Sequence, residues 1–419
     1  MNGAQPETLD PTSLVRRTAE EVHARFFEPL DGATLLAAAW DGAAAALART
    51  GVPNIPAASR YPSEPGAAYA AHTERFPVLE RLASGSIGAA ELAAAALRGL
   101  LDGCRDGHTH LVAAGKPRRL PSGPRRHVGM VLTDTPPVTV ADVVPGGPAQ
   151  RAGVRRGQVV LTVNGHSCAS LRRSETMALL DMTEGVANEV VIQTPGASTT
   201  AIHLRAELSP RLSNTLLPGP TGPIGLLRID GFAATEEEMA ELRAALTSFE
   251  DAGARAWIVD VRWCGGGYSG RFSQMLVDHG LLFARVRHND ARFSDGSVHP
   301  MREEITANGT ALPFQRPLVI LVGPGSISGA ESFAGPLQAL GRATLVGERT
   351  AGLCGMATFV RPAPAWEMIV TARETVFGPD ERRFNRLGVP PDRTVAPSPD
   401  DEAAGRDPQL EAALDILRG

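Results

Sequence analysis

Lysine is almost absent from this 419-residue chain. Of its 41 basic residues only Lys116 is one, so any mechanism built on a lysine base has a single candidate. Cysteine is sparse as well, with four residues at 104, 168, 264 and 354 and no CxxC pair. That scatter disfavours a zinc site and fits free thiols in a reducing compartment. No stretch approaches the roughly 18 consecutive apolar residues of a membrane span. There is no Lys/Arg-rich run, and the formal net charge of -5 argues against a dedicated nucleic-acid binder. The first ten residues carry neither the basic nor the apolar region of a secretory signal, so a cytoplasmic protein is expected.

What is present is ordinary for a globular protein: 43% hydrophobic and 21% charged residues, and enough length for two or three domains. Two alanine- and leucine-rich stretches, Leu35–Leu47 and Ala89–Leu101, read as helices separated by a Pro/Ser/Gly loop at 53–66. The second ends in the glycine-punctuated Asp106-Gly-His-Thr-His110. A Pro/Arg-rich linker around Lys116 follows, then short β-rich runs at 128–132, 138–144, 159–163 and 189–193. Beyond Pro218–Pro223 strands and helices alternate, which predicts an α/β domain. Its first helix opens at a capping box, Thr235 to Glu238, and places Met239, Leu242, Leu246 and Phe249 on one face.

Two segments of that domain carry chemistry. Pro317–Val322 reads as a buried strand that enters Gly323-Pro-Gly-Ser-Ile-Ser328-Gly-Ala-Glu331, a tight turn with a serine where a helix begins. Unpaired N–H groups and the positive end of a helix dipole at such a place suit acyl transfer. Ala256–Arg262 likewise runs from a strand into Trp263-Cys-Gly-Gly-Gly267. Each feature has a plainer reading. Ser328 and Glu331 form a Ser-x-x-Glu capping box, and the glycines could serve only a strand exit with positive φ. Cys264 reads as a packed thiol, since nothing basic is close to it in sequence.

Gly146–Gly165 resembles the core of a PDZ domain. Asp260–Gly267, Ser328–Glu331 with Gly341–Gly352 after it, and Gly388-Val-Pro-Pro-Asp392 resemble, in order, the motifs of the S41 peptidases, which include the C-terminal processing and tricorn proteases. This resemblance implies an α/β (α+β) chain with a crotonase-like ββα catalytic core, an inserted PDZ β-domain and an N-terminal helical region. The implied segments are 1–112 (helical), 113–208 (PDZ), 209–400 (catalytic) and 401–419 (C-terminal helix).

The processing proteases place a lysine base where this chain has Leu353. The tricorn-like branch instead uses a histidine ahead of the PDZ module, in an Asp-x-His-Thr form that His108 matches, with His110 as a competitor. A serine hydroxyl needs such a neighbour to take its proton. The residue that orients the histidine in that branch is a glutamate; here the position is Asn385, with Glu381 nearby. The expected chemistry is therefore serine peptidase or hydrolase action. Ser328 is the nucleophile, His108 the base and Asn385 its orienter, with the N–H groups of Gly266 and Gly329 holding the oxyanion. In the PDZ module the loop of His127, Val128, Gly129 and Met130 is the candidate receptor for a substrate C-terminus. A peptide or protein is the expected partner, and no metal or organic cofactor is called for. Homo-oligomerisation stays open. So do two other functions: hydrolysis or acyl transfer on a small or modified peptide substrate, and peptide binding through the PDZ module without strong catalysis.

Overall fold

The computed structural model describes all residues except 1–9, 59, 113–124, 134–135, 145, 197, 210, 220, 234, 279, 291–298, 307–315, 399–400, 402–405 and 419. Lys116 and its linker lie outside the described residues. The chain divides into two units, one of residues 1–116, 287–302 and 355–374, the other of 117–286, 303–354 and 375–419.

In the first unit five helices, Pro11–Arg25, Gly32–Arg49, Pro65–Arg75, Pro77–Ala83 and Ala89–Gly103, enclose one apolar core. Acidic side chains start three of them: Asp10 accepts from Ser13 N–H, Asp31 from Ala33 N–H, and Glu64 from the N–H groups of Gly66 and Ala67. The second and fifth helices touch backbone to backbone. A β-carbon on Gly99 would lie 2.2 Å from the carbonyl oxygen of Ala38, and one on Gly42 would lie 2.4 Å from that of Ala95. The unit also takes in strand Met356–Ala363, which pairs antiparallel with the following long strand Trp366–Phe377. His110–Leu111 pairs with the other edge of that strand, His110 opposite Ile369. The sequence places 355–374 with the catalytic segment. The structure groups them with the helices, because Val360, Met368 and Val370 are buried among Leu14, Leu97 and Leu100.

The second unit holds a small β module and an α/β body. The module has a two-stranded piece, Met130–Leu132 with Val140–Val143, and a four-stranded antiparallel sheet in the order 166–167, 159–163, 187–193, 199–205. Short helices Pro148–Arg151 and Arg173–Ala178 flank them. The body is a six-stranded sheet in the order Leu212–Leu217, Ile224–Ile229, Ala256–Asp260, Leu318–Val322, Thr344–Gly347, Arg393–Thr394. Its first pair is antiparallel and the rest are parallel. The central strands Ala256–Asp260 and Leu318–Val322 are buried at every position, as a parallel sheet covered on both faces requires. Trp257, Val259, Ile320 and Val322 face helices Glu236–Asp251 and Gly329–Ala339. Ile258, Val319 and Leu321 face helix Pro408–Arg418 through Ala412 and Ala413.

A buried histidine makes the first unit acid-sensitive. His72 is fully buried against Phe76, with Nε2 3.2 Å from the carbonyl of Thr12. Burial, only partly offset by that carbonyl, lowers its pKa from 6.5 to about 4. The folded unit therefore holds His72 neutral while the unfolded chain takes up a proton, so stability is whole above about pH 6.5 and falls as pH drops towards 4. The unfolding midpoint should decline over that window by the equivalent of about 2–3 kcal/mol. In the His72→Phe variant, measured the same way, the decline should flatten.

Candidate active site

The carboxyl ends of two adjacent parallel strands, Ala256–Asp260 and Leu318–Val322, deliver the two glycine turns side by side, the edge where open α/β sheets place their sites. The turns are locked together. Ile327 N–H donates to Cys264 O at 3.1 Å, and the buried Ser326 hydroxyl donates to Val261 O at 2.8 Å while accepting from Gly323 N–H. A β-carbon on Gly329 would stand 2.3 Å from Gly267 O, and one on Gly267 would stand 1.8 Å from Phe232 O. Neither position can carry a side chain. Gly266 and Gly267 have φ of +100° and +116°, open to glycine alone without strain.

Ser328 sits at φ +54°, ψ -103°, an uncommon backbone state for a residue with a side chain. Only half of its capping box forms. Glu331 accepts the Ser328 N–H at 3.0 Å, but the Ser328 hydroxyl makes no cap hydrogen bond. A β-carbon on Gly266 would lie 3.0 Å from the Ser328 β-carbon and 3.5 Å from the Gly329 nitrogen. Ser328, Gly266 and Gly329 thus converge. Among the described residues neither the Gly266 nor the Gly329 N–H has an acceptor, whereas the Gly265 N–H is taken by Asp230 O.

Glu331 organises the surroundings of Ser328. It is completely buried and accepts four hydrogen bonds, from Ser328 N–H, the Thr350 hydroxyl, Gly352 N–H and Leu353 N–H, the last three at 2.6–2.7 Å. Burial pushes its carboxyl up, and the four donors work against that. The segment carrying Leu353 is thereby fixed to the helix start, with the Leu353 side chain buried. Asn385 is also buried, in a turn tied to the same segment by Arg386 N–H to Gly352 O at 2.7 Å. Glu381 faces Arg285 at 3.4 Å. The sequence marks Glu331 only as part of a cap, and nothing in it marks Ser326.

His108 belongs to the first unit. Its N–H and that of Thr109 both donate to buried Asp106, which also accepts from the Thr371 hydroxyl at 2.8 Å. His110 is committed locally, with Nδ1 2.9 Å from the His108 carbonyl. In the β module, Val128 and Met130 are buried and Gly129 has φ +79°. The carbonyls of Val128 and Gly129 accept from Ala149 and Val144, while their N–H groups have no acceptor among the described residues. The module meets the site at Asp142, which accepts from the Trp263 indole at 3.1 Å and pairs with Arg156. Arg156 in turn reaches Glu348 at 2.6 Å. Among the described residues no group of three or more His, Cys, Asp or Glu is arranged to hold a metal ion.

A PDZ-like β module beside an α/β body whose paired strand ends present a serine and a glycine turn defines a class of serine-bearing, two-module protein. Residues 223–395 match peptidase family S41 and residues 139–194 match a PDZ domain. The chain thus carries an S41 peptidase domain and a PDZ domain. It is 30% identical over 279 residues to the chloroplastic C-terminal processing peptidase of Tetradesmus obliquus, covering 62% of this chain but only 57% of that relative's length. It is 28% identical over 303 residues to the carboxyl-terminal-processing protease of a Synechocystis species, covering 70% and 68%. Among solved structures, the photosystem II D1 C-terminal processing protease superposes over 98% of both chains with a TM-score of 0.61 at 22% identity, a likeness of fold.

Replacing Glu331 by alanine leaves four inward-facing donors without their acceptor. At about 1 kcal/mol or more for each, denaturant unfolding should show a loss of about 3–5 kcal/mol. A loss under about 1 kcal/mol would contradict the bridging role.

Proposed function

We propose that this protein is a serine peptidase in which Ser328 attacks a peptide carbonyl and His108 takes the hydroxyl proton, then returns it to the leaving amine. The observation that carries the reading is Ser328 itself. It is held in an unfavourable backbone state, its hydroxyl is not spent on capping, and two free N–H groups stand beside it. Those of Gly266 and Gly329 are the proposed oxyanion donors, and their lack of acceptors favours Gly266 over Gly265. The C-terminal processing relatives support peptide cleavage. Leu353, buried and apolar, cannot act as the base, and the Asp-x-His-Thr form ahead of the PDZ module supports a histidine in that role. Asp106 fixes the backbone of His108 from a buried position, which favours His108 over His110.

Asn385 is the proposed orienter of the imidazole, since Glu381 already faces Arg285. An amide fixes a tautomer by hydrogen bonding without supplying charge, so imidazolium is stabilised less than by a carboxylate. The crotonase-like reading of the catalytic core is supported by its parallel strands with helices on both faces. Substrate is proposed to enter by its C-terminus, its carboxylate received by the free N–H groups of Val128 and Gly129 while the peptide adds along Met130–Leu132. The four buried cysteines, none of them in a disulfide, fit a reducing compartment and the proposed cytoplasmic location.

Ser328→Ala should abolish both peptide hydrolysis and labelling by a fluorophosphonate. Retention of both would remove Ser328 from the mechanism. His108→Ala should lower turnover by about a hundredfold or more and His110→Ala far less; the reverse order would transfer the base to His110. For the PDZ module, amidating the C-terminus of a cleaved peptide should raise KM with little change in kcat. Equal kinetics on free and amidated peptides would rule out carboxylate capture.

A further inference from the structure

The glycine turn is held from behind by the last helix of the chain, which lies beyond the 223–395 match to the peptidase family. Arg262 directly precedes the turn, and its side chain is 4% exposed. Its guanidinium is completely enclosed by acceptors. Nε and Nη2 donate to Asp260 at 3.0 and 2.7 Å, Nη1 and Nη2 donate to Asp407 at 2.8 Å each, and Nη1 also donates to Gln409 at 2.9 Å. Its flat face stacks on the neighbouring Trp263 at 4.4 Å. Asp407 at the same time caps helix Pro408–Arg418 by accepting Leu410 N–H, and Gln409 donates to Val395 O at 2.8 Å. A buried guanidinium tolerates its desolvation only with carboxylates in place, and Asp407 supplies one of the two.

The backbone of Arg262 has a second constraint. Its carbonyl oxygen would lie 2.5 Å from a β-carbon on Gly325, so it abuts the turn that carries Ser328. A shift of Arg262 would therefore be felt in both turns.

We propose that Asp407, acting through Arg262, is a positioning residue for the oxyanion turn, so that the C-terminal helix is a working part of the active site and more than a cover for the sheet. The inference rests on the peptidase reading for its catalytic consequence, though not for the clamp itself. Removing the Asp407 charge leaves Asp260 as the one carboxylate on the Arg262 guanidinium, beside the neutral Gln409, and frees the segment 263–267 to shift. A misplacement of about 1 Å at a reacting group costs on the order of a hundredfold in rate.

The test compares Asp407→Asn, Asp407→Glu and Ala413→Gly in the full chain. Ala413→Gly loosens the same helix without touching the clamp. Amide hydrogen exchange over 263–267, the rate of fluorophosphonate labelling and the separate kcat and KM on a peptide are measured in each. Asp407→Asn should speed exchange over 263–267 about tenfold and lower kcat and labelling by tenfold or more, with KM within about twofold. Asp407→Glu should recover part of the kcat, and Ala413→Gly should lower the unfolding midpoint while sparing kcat. Unchanged exchange in Asp407→Asn, or faster exchange with unchanged kcat, overturns the proposal. If the wild-type chain neither cleaves nor labels while exchange still responds to Asp407→Asn, the clamp stands and the peptidase reading falls.

Discussion

The carbonyl of Gly267 occupies the space that a side chain at Gly329 would need, and much of the catalytic body follows from that contact. It demands that two turns separated by some sixty residues of sequence arrive together. Adjacent parallel strands in register, Ile258 opposite Val319, meet the demand. Strands buried on both faces need helices above and below, and helices Glu236–Asp251, Gly329–Ala339 and Pro408–Arg418 supply them. Helix Gly329–Ala339 can then start only where the glycine turn permits, and this places Ser328 against Gly266. Glu331 extends the same lock outward to residues 350–353 and, through Gly352, to the turn of Asn385.

A buried carboxylate in this role has a particular advantage over an apolar plug. Its four donors come from two segments, Ser328 at the helix start and residues 350–353, so the acceptor fixes directions as well as separations. A leucine of similar volume would fill the space but leave the Ser328 N–H and the amides of 352 and 353 unpaired. The interior of the site is thus specified by polar geometry, while its periphery is held by ordinary apolar packing.

Much of this was legible in the residues. Unbroken apolar runs bounded by glycine identify the central strands, and the capping box at Thr235 opens a helix that the structure places at Glu236–Asp251. In that helix the Thr235 hydroxyl does accept from Glu238 N–H, while the Glu238 carboxylate reaches Ala233 N–H, outside the expected box. The strands over 282–290 and 299–306 and the hairpin of 356–377 are harder to read, because arginines and glutamates interrupt their alternation. The allotment of 355–374 to the first unit could not be read at all, since it depends on which distant helices cover Met368 and Val370. At the site, glycine positions and the serine were visible as motifs. The organising part of Glu331 and the clamp on Arg262 were not, because their partners lie 19 to 22 and 145 residues away.

The backbone state of Ser328 carries one last consequence. Holding a side-chain-bearing residue in such a conformation costs on the order of 1–3 kcal/mol, a sizeable share of the stability of a typical domain. Glycine at the same place would relax it at once. On the peptidase reading that glycine would remove the strain and the hydroxyl together, so durability and activity pull position 328 in opposite directions.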